Sequence, residues 1–247
     1  MKVVQDRSKE PVILTKNGNM SLEYESARLR VGHCTYLPPP MLAMVHRLTF
    51  TKSEGVGIEH HAGFTRIVTE KVYGKSLDAG FGYLPLRLPE LHAFALFEEP
   101  VVACMSTGHI LANKSTICPS DIEGLPVIAV GREILPQIHE EVEKVFARSG
   151  TKLRIIAEAF APPEAVIMAE HRIGICFVGI SAVSRSGVVG KPLSRETLSQ
   201  KSGLLIRRDN RSPQLNEFVD FVIEAAKDLP QHSASLNRRI PRLGVAE

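Results

Sequence analysis

Apolar and polar residues along this chain follow two rhythms that take turns: short unbroken apolar runs, and stretches with apolar residues three and four apart. The first rhythm reads as buried strand and the second as amphipathic helix. "LRVGHCTY" (29–36) reads as a strand. In "PPPMLAMVHRLTF", which follows closely, Met41, Met44, Val45 and Leu48 share one helix face, and Pro38, Pro39 and Pro40 suit a first turn that has no use for its N–H groups. The strand "VGIEHHAG" and the helix "FTRIVTEKVYGK" come next. Phe64, Ile67 and Val68 share a face there, and Gly74 is placed to close the helix in the left-handed conformation. A third strand, "LDAGFGYL", completes a βαβαβ unit.

The second half repeats the style without repeating the sequence. "LPVIAV" is a strand, and "LPQIHEEVEKVFARSG" carries Ile138, Val142, Val145 and Phe146 on one helix face and closes at Gly150. "KLRIIAEAF" is a strand, "PPEAVIMAEHR" a helix that starts at proline, and "IGICFVG" a buried strand. A last helix begins at Ser212-Pro213, a cap and first-turn pair, and runs through Leu215, Phe218, Val219 and Val222. Alternating elements of this kind predict α/β class with mostly parallel sheets. Two similar units predict two doubly wound lobes with a cleft between them, the chain crossing near 106–116 and near 204–210.

Composition narrows the function. With 247 residues, 44% hydrophobic, and a net charge of +3, the chain can bury a core and is not a disordered polyelectrolyte. Its cysteines, at 34, 104, 118 and 176, form neither a disulfide framework nor a zinc spacing. The longest apolar run is too short for a membrane helix, and "MKVVQDRSKEP" has no apolar export core, so a soluble protein of the reducing cytoplasm is expected. The basic tail with Arg238, Arg239 and Arg242 reads as a solvated terminus.

Catalytic motifs fail one by one. "GKS" at 74–76 has Thr69 where a phosphate-binding loop needs its first glycine, and "AGFGY" lies on a strand and lacks the third glycine of a dinucleotide fingerprint. His60 and His61 are strand neighbours that point to opposite faces, so they cannot share one metal. Neither a Gly-x-Ser-x-Gly elbow nor a His-Glu-x-x-His motif occurs, and His33 next to Cys34 does not have the geometry of an activated thiol. No enzyme, no cofactor and no metal are expected.

The series "LRVGHCTYLPPPMLAMVHRL", "VGIEHHAG", "LDAGFGYLP", "LFEEPVVACMSTGHILA", "DIEGLPVIAV" and "RIGICFVGISAV" resembles, in order and spacing, the effector-binding region of LysR-type transcriptional regulators over roughly residues 29–227. The resemblance implies a type-2 periplasmic-binding-protein fold, two subdomains joined by two crossovers with a small effector between them. It implies side-by-side antiparallel pairing, helix 41–50 of one chain against helix 135–148 of the other, as a homodimer or tetramer. "QDRSKEPVILTKNG" is similar to the end of the family's winged helix-turn-helix, with Arg7, Leu14, Thr15 and Gly18 at matching places. The recognition helix that should precede it is missing, and the linker helix is short. Arg7, Lys9, Thr15 and Lys16 are then remnant DNA contacts, and wing contacts to phosphate position a protein without specifying a site. The expected division is 1–28 wing and linker remnant, 29–110 plus 205–228 subdomain I, 111–204 subdomain II and 229–247 flexible tail.

In doubly wound lobes, ligands sit beyond strand C-termini, against the unpaired N–H groups of helix N-termini. That rule selects Cys34, Thr35 and Tyr36; Gly63, Phe64 and Thr65; Gly131, Arg132 and Glu133; and Phe160 with Ala161. The family's effector pocket is built from the same turns. Hydroxyls of Thr35, Tyr36 and Thr65 with the charge of Arg132 suit a small carboxylate, and Phe64 and Phe160 an apolar wall. Two departures from the family pattern stand out: Cys34 replaces a common Ser or Thr, and Glu170-His171-Arg172 replaces an Ala-Gly helix end. The leading expectation is a ligand-sensing module of a transcription regulator, with mixed dimers with a full-length regulator as one way to act and DNA binding only if the missing helices are supplied. The alternatives are a periplasmic-type solute-binding protein and a non-functional regulator fragment.

Overall fold

A computed structural model of the chain describes residues 28–50, 57–85, 88–132, 134–194 and 198–230. Arg7, Lys9, Leu14, Thr15, Lys16, Gly18, Glu133 and the arginines of the tail lie outside the described residues. The first half contains β1 (Leu29–Cys34), α1 (Pro39–Phe50), β2 (Ile58–Gly63), α2 (Thr65–Tyr73) and β3 (Ala79–Leu84). A long strand β4 (Leu91–Ser106) leads into β5 (Pro126–Val130), α3 (Pro136–Arg148), β6 (Arg154–Ala159), α4 (Pro162–Glu170), β7 (Ile175–Gly179) and β8 (Val188–Pro192). The chain then returns through β9 (Ser199–Arg207) and ends with α5 (Pro213–Ala226).

The strands join in the order β2-β1-β3-β9-β4-β7-β5-β6, with β8 also paired to β4. β1 runs parallel to β2 and β3, and β5 parallel to β6 and β7, which are the two expected parallel units. β4 and β9 are the antiparallel members. Residues 91–100 of β4 pair with β9, whereas 101–106 pair with β7 and β8. Both crossings therefore differ from the expected 106–116 and 204–210. The first falls inside β4 at Pro100, and the second comes before β9, because Ser199–Arg207 already pairs with β3 and the first part of β4.

Packing follows the helical faces read from the sequence. Met41, Met44, Val45 and Leu48 of α1 are buried, as are Leu215, Phe218, Val219 and Val222 of α5, and Phe218 meets Phe81 edge-on at 6.3 Å. The opposite face of the first sheet takes α2 through Val68 and Val72. Here Gly32 and Gly80 matter, because a Cβ at either would fall 2.5 Å from Leu77 or Val68. In the second half Ile138, Val142, Val145 and Phe146 of α3 are buried, with Phe146 against Phe177 at 5.5 Å. Ser212 caps α5 by accepting from Leu215 N at 3.2 Å.

Helix ends give two corrections. Gly74 closes α2 at φ −76°, and the left-handed residue is Lys75 at φ 65°. At the end of α4, Arg172 takes φ 61° in place of the glycine the family pattern supplies, so the helix terminates without it. Gly150, after α3, does adopt the left-handed region at φ 70°.

An ion pair holds β1 to the start of β3. Asp78 accepts from Arg30 Nε at 3.1 Å, from Arg30 Nη2 at 2.9 Å and from the Arg30 backbone N–H at 2.9 Å. Burial pushes the Asp78 carboxyl up, but these hydrogen bonds and the charges of Arg30 and Arg207 outweigh it and leave the pKa lowered. A carboxylate held below its unfolded value stabilises the fold above that value and loses the contribution as pH falls through the folded one. Asp78→Asn is therefore expected to lower the urea midpoint by a constant amount near neutral pH, and the gap to wild type closes as pH drops below about 4.

Candidate functional site

The turn after β1, the first turns of α1 and α4 and the segment after β7 enclose a cavity of about 520 Å³ between the two halves of the sheet. Its walls are mostly apolar: Tyr36, Leu37, Leu42, Pro162, Pro163, Val166, Ile167 and Ala182. Its floor is polar and comes from the crossing strands. Glu99 of β4 is fully buried, and its carboxylate accepts from Gln200 Nε2 of β9 at 2.6 Å and from the backbone N–H of Ser181 at 2.8 Å. Gly179 leaves room for this pair, since a Cβ there would lie 2.2 Å from Glu99 Oε1. Among the described residues Ser181 Oγ and Gln200 Oε1 are buried beneath the cavity surface without a hydrogen-bond partner.

Tyr83 of β3 also lines the cavity, and its hydroxyl donates to the Tyr36 carbonyl, fixing the turn after β1. Burial first, then the proximity of Cys34 and Glu99, pushes the Tyr83 phenol well up, so it stays a donor. Arg185 is the guanidinium on the cavity wall, and it pairs with Glu170 of α4. Behind α1, away from this floor, the rings of His33, His46 and His60 converge.

The residues expected from the strand-end rule fall into three groups. Thr35 and Tyr36 line the cavity, with the Thr35 hydroxyl already donating to Gly63 O at 3.0 Å. Phe64 stacks on Tyr36 at 5.8 Å and meets Phe160 edge-on at 5.2 Å, so these three form an aromatic bridge from one half to the other. The remainder make contacts within the fold. Cys34 is buried in the core, Thr65 Oγ1 accepts from Tyr83 N at 3.2 Å, and Gly131 N donates to Ala159 O at 2.9 Å. Ala161 is the N-cap residue of α4, and Gly63 supplies its carbonyl to Thr35. Arg132 is exposed and turned away to Glu143 of α3, with both contacts at 3.1 Å. The bounding helices also offer fewer donors than the rule assumes, because α1 opens on Pro39-Pro40 and α4 on Pro162-Pro163, and each proline removes an N–H.

The sequence model of the LysR substrate binding domain matches residues 24–227. The chain belongs to that family. The Hca operon transcriptional activator HcaR of Escherichia coli strain K12 is 21% identical over 157 residues, covering 63% of this chain and 53% of that protein. The chain thus spans about half the length of that relative. Three solved structures are similar in fold. The effector binding domain of QuiR in complex with shikimate has a TM-score of 0.70 at 16% identity, covering 81% of this chain and 97% of that one. The Synechocystis PCC6803 CcmR regulatory domain in complex with 2-PG has a TM-score of 0.70 at 17% identity, covering 82% and 99%. The BenM effector binding domain with its effector benzoate has a TM-score of 0.66 at 17% identity, covering 83% and 95%.

The LysR substrate binding domain is built on a type-2 periplasmic-binding-like fold, and the cavity of this member lies where its two halves meet. The residues missed in the sequence, Glu99, Gln200, Ser181, Tyr83 and Arg185, come mainly from strands and turns that no helical period marks. One signal was present: two acids and a proline, "EEP", interrupt an apolar run at 98–100, where a buried strand has no reason to carry them. Replacing Glu99 with Ala leaves the Ser181 N–H and the Gln200 amide without an acceptor. The expected loss is about 1–3 kcal/mol of stability in urea denaturation.

Proposed function

We propose that this chain is the effector-sensing part of a LysR-type transcription regulator and works by binding, without chemical turnover of the ligand. The cavity carries the reading: a chamber between two halves, with apolar walls and polar residues along its floor, is built to hold a small molecule. The lobes of this sensor are residues 29–100 with 199–228, and residues 101–194. An occupant that fits one arrangement of the lobes better than another shifts their population, and only by that difference in affinity.

The floor chemistry defines the ligand class more closely. The Glu99 carboxylate buried beneath the floor repels a second negative charge, so the end of the ligand nearest the floor is neutral. A carboxylate on the same ligand sits away from Glu99, toward Arg185. The apolar walls then favour a cyclic or aromatic acid bearing hydroxyl groups. QuiR with shikimate and BenM with benzoate are relatives whose ligands fall near this class. Action in the cytoplasm, pairing with further copies or with a longer regulator, and DNA binding through a winged helix-turn-helix all belong to this proposal.

A thermal-shift screen of shikimate, benzoate, 2-PG and hydroxylated aromatic acids tests it. A ligand at a hundred times its Kd raises the melting temperature by roughly 5–10 °C. Ala43 is exposed on the cavity side of α1, so Ala43→Phe is expected to remove the shift while leaving unliganded melting within about 2 °C. A panel without effect, or an equal shift in Ala43→Phe, counts against the cavity as the site.

A further inference from the structure

On the face of the sheet that α1 covers, three imidazoles meet at the outer strands. His33 of β1 and His60 of β2 stack with centroids 4.5 Å apart and planes 7° from parallel. His46 of α1 stands edge-on to both, at 5.2 Å from His33 and 5.9 Å from His60. One ring nitrogen of each lies within 4.8 Å of the others. Strand register explains the convergence. Val31 pairs with His60, so His60 shares the face of Val31 and of His33 two residues further on. His61 faces the other way and pairs with Glu59 at 3.0 Å. The pair adjacent in sequence is thus divided, and the convergent set is drawn from three different elements.

This cluster has the marks of a ligand set. His33 is 4% exposed, its Nδ1 has no hydrogen-bond partner, and its ring hydrogen-bonds the backbone of His61. An imidazole anchored to backbone through one nitrogen and offering the other is the usual state of a metal-binding histidine. Burial, then the neighbouring His60 and His46, lowers His33 to a pKa of about 4, and burial with His46 and His61 lowers His60 as well. Among the described residues no thiolate or carboxylate joins the set. A set of imidazoles alone selects borderline ions such as Zn²⁺, Co²⁺ or Ni²⁺ over Mg²⁺ and Ca²⁺, which want oxygen.

We infer that His33, His46 and His60 form a binding site for a divalent transition metal ion of the zinc class, with a fourth coordination position left to water. Tetrahedral zinc at about 2.0–2.1 Å from each nitrogen places the nitrogens roughly 3.3 Å apart. Closing the site therefore means splaying the stacked pair and drawing the set together by at most about 1.5 Å. The ion ties α1 to the two outermost strands of the first lobe. Because His46 also lines the cavity, along with Leu42 and Ala43 of the same helix, the tie acts on one wall of the cleft.

The test uses tag-free full-length chain, stripped of metal and titrated with CoCl₂ and then ZnCl₂. The expected result is one cobalt ion per chain with visible d–d absorption, displaced by zinc, and a higher melting temperature with zinc than without. His46→Gln and His60→Gln weaken zinc binding by at least about tenfold, whereas His61→Gln binds as wild type does. Wild type with no stoichiometric cobalt spectrum overturns the site. Unchanged zinc affinity in His46→Gln, or an equal loss in His61→Gln, overturns it too. Should His60→Gln fail to fold, the wild-type spectrum and His46→Gln, altered at a half-exposed helix position, decide the matter.

Discussion

The carboxylate of Glu99 is the joint on which the two halves depend. It sits on the strand shared by both, takes one hydrogen bond from Gln200 of the returning strand β9, and takes another from Ser181 beyond β7. The first partner belongs to one half and the second to the other. A buried carboxylate without donors would be costly, so the position of each half is tied to satisfying the same group. Pro100 follows at once, Val101 N still donates to Leu198 of the β9 side at 2.8 Å, and from Val101 onward β4 also pairs with β7 and β8. The crossing is thus fixed by a polar group, where the rest of the core is fixed by apolar contact.

This explains what was legible in the sequence. Met41, Met44, Val45 and Leu48, or Ile138, Val142 and Phe146, could be read because a helix face repeats every 3.6 residues whatever it packs on. The parallel units could be read because their strands are continuous apolar runs between helices. β4 could not, because its middle, "FEEP", breaks the apolar pattern with charges whose partners lie 101 residues away, Ser199 for Glu98 and Gln200 for Glu99. Lys75 and Arg172 took left-handed positions expected of glycine, a choice made by the surrounding turns and not visible in their side chains.

The site was legible to the same extent. The strand-end rule selected Thr35 and Tyr36, which line the cavity, since it concerns where a turn lies. It could not say which way a side chain turns, and Arg132 turned to Glu143 on the neighbouring helix. The guanidinium on the cavity wall is Arg185, from a turn after β7 with no regular pattern. Likewise His60 and His61 could be assigned to opposite faces by period alone, but the company His60 keeps depends on the register of β1 with β2 and on the seating of α1.

Helix α1 consequently carries two kinds of information. Its first turn and the side chains of Leu42, Ala43 and His46 form a wall of the cavity, while Met41, Met44, Val45 and Leu48 anchor it in the core. A well-packed core resists gradual deformation, so a force on the helix is resolved by moving it as a body. A ligand that presses on Leu42 and Ala43 then acts on the same rigid element that His46 joins to β1 and β2, and anything that fixes His46 acts in turn on the cavity wall. Reciprocity follows from thermodynamics: if occupancy behind the helix changes affinity in the cleft, occupancy of the cleft changes affinity behind the helix by the same factor. In this geometry a coupling between the two proposed sites needs no long pathway, because both touch a single helix.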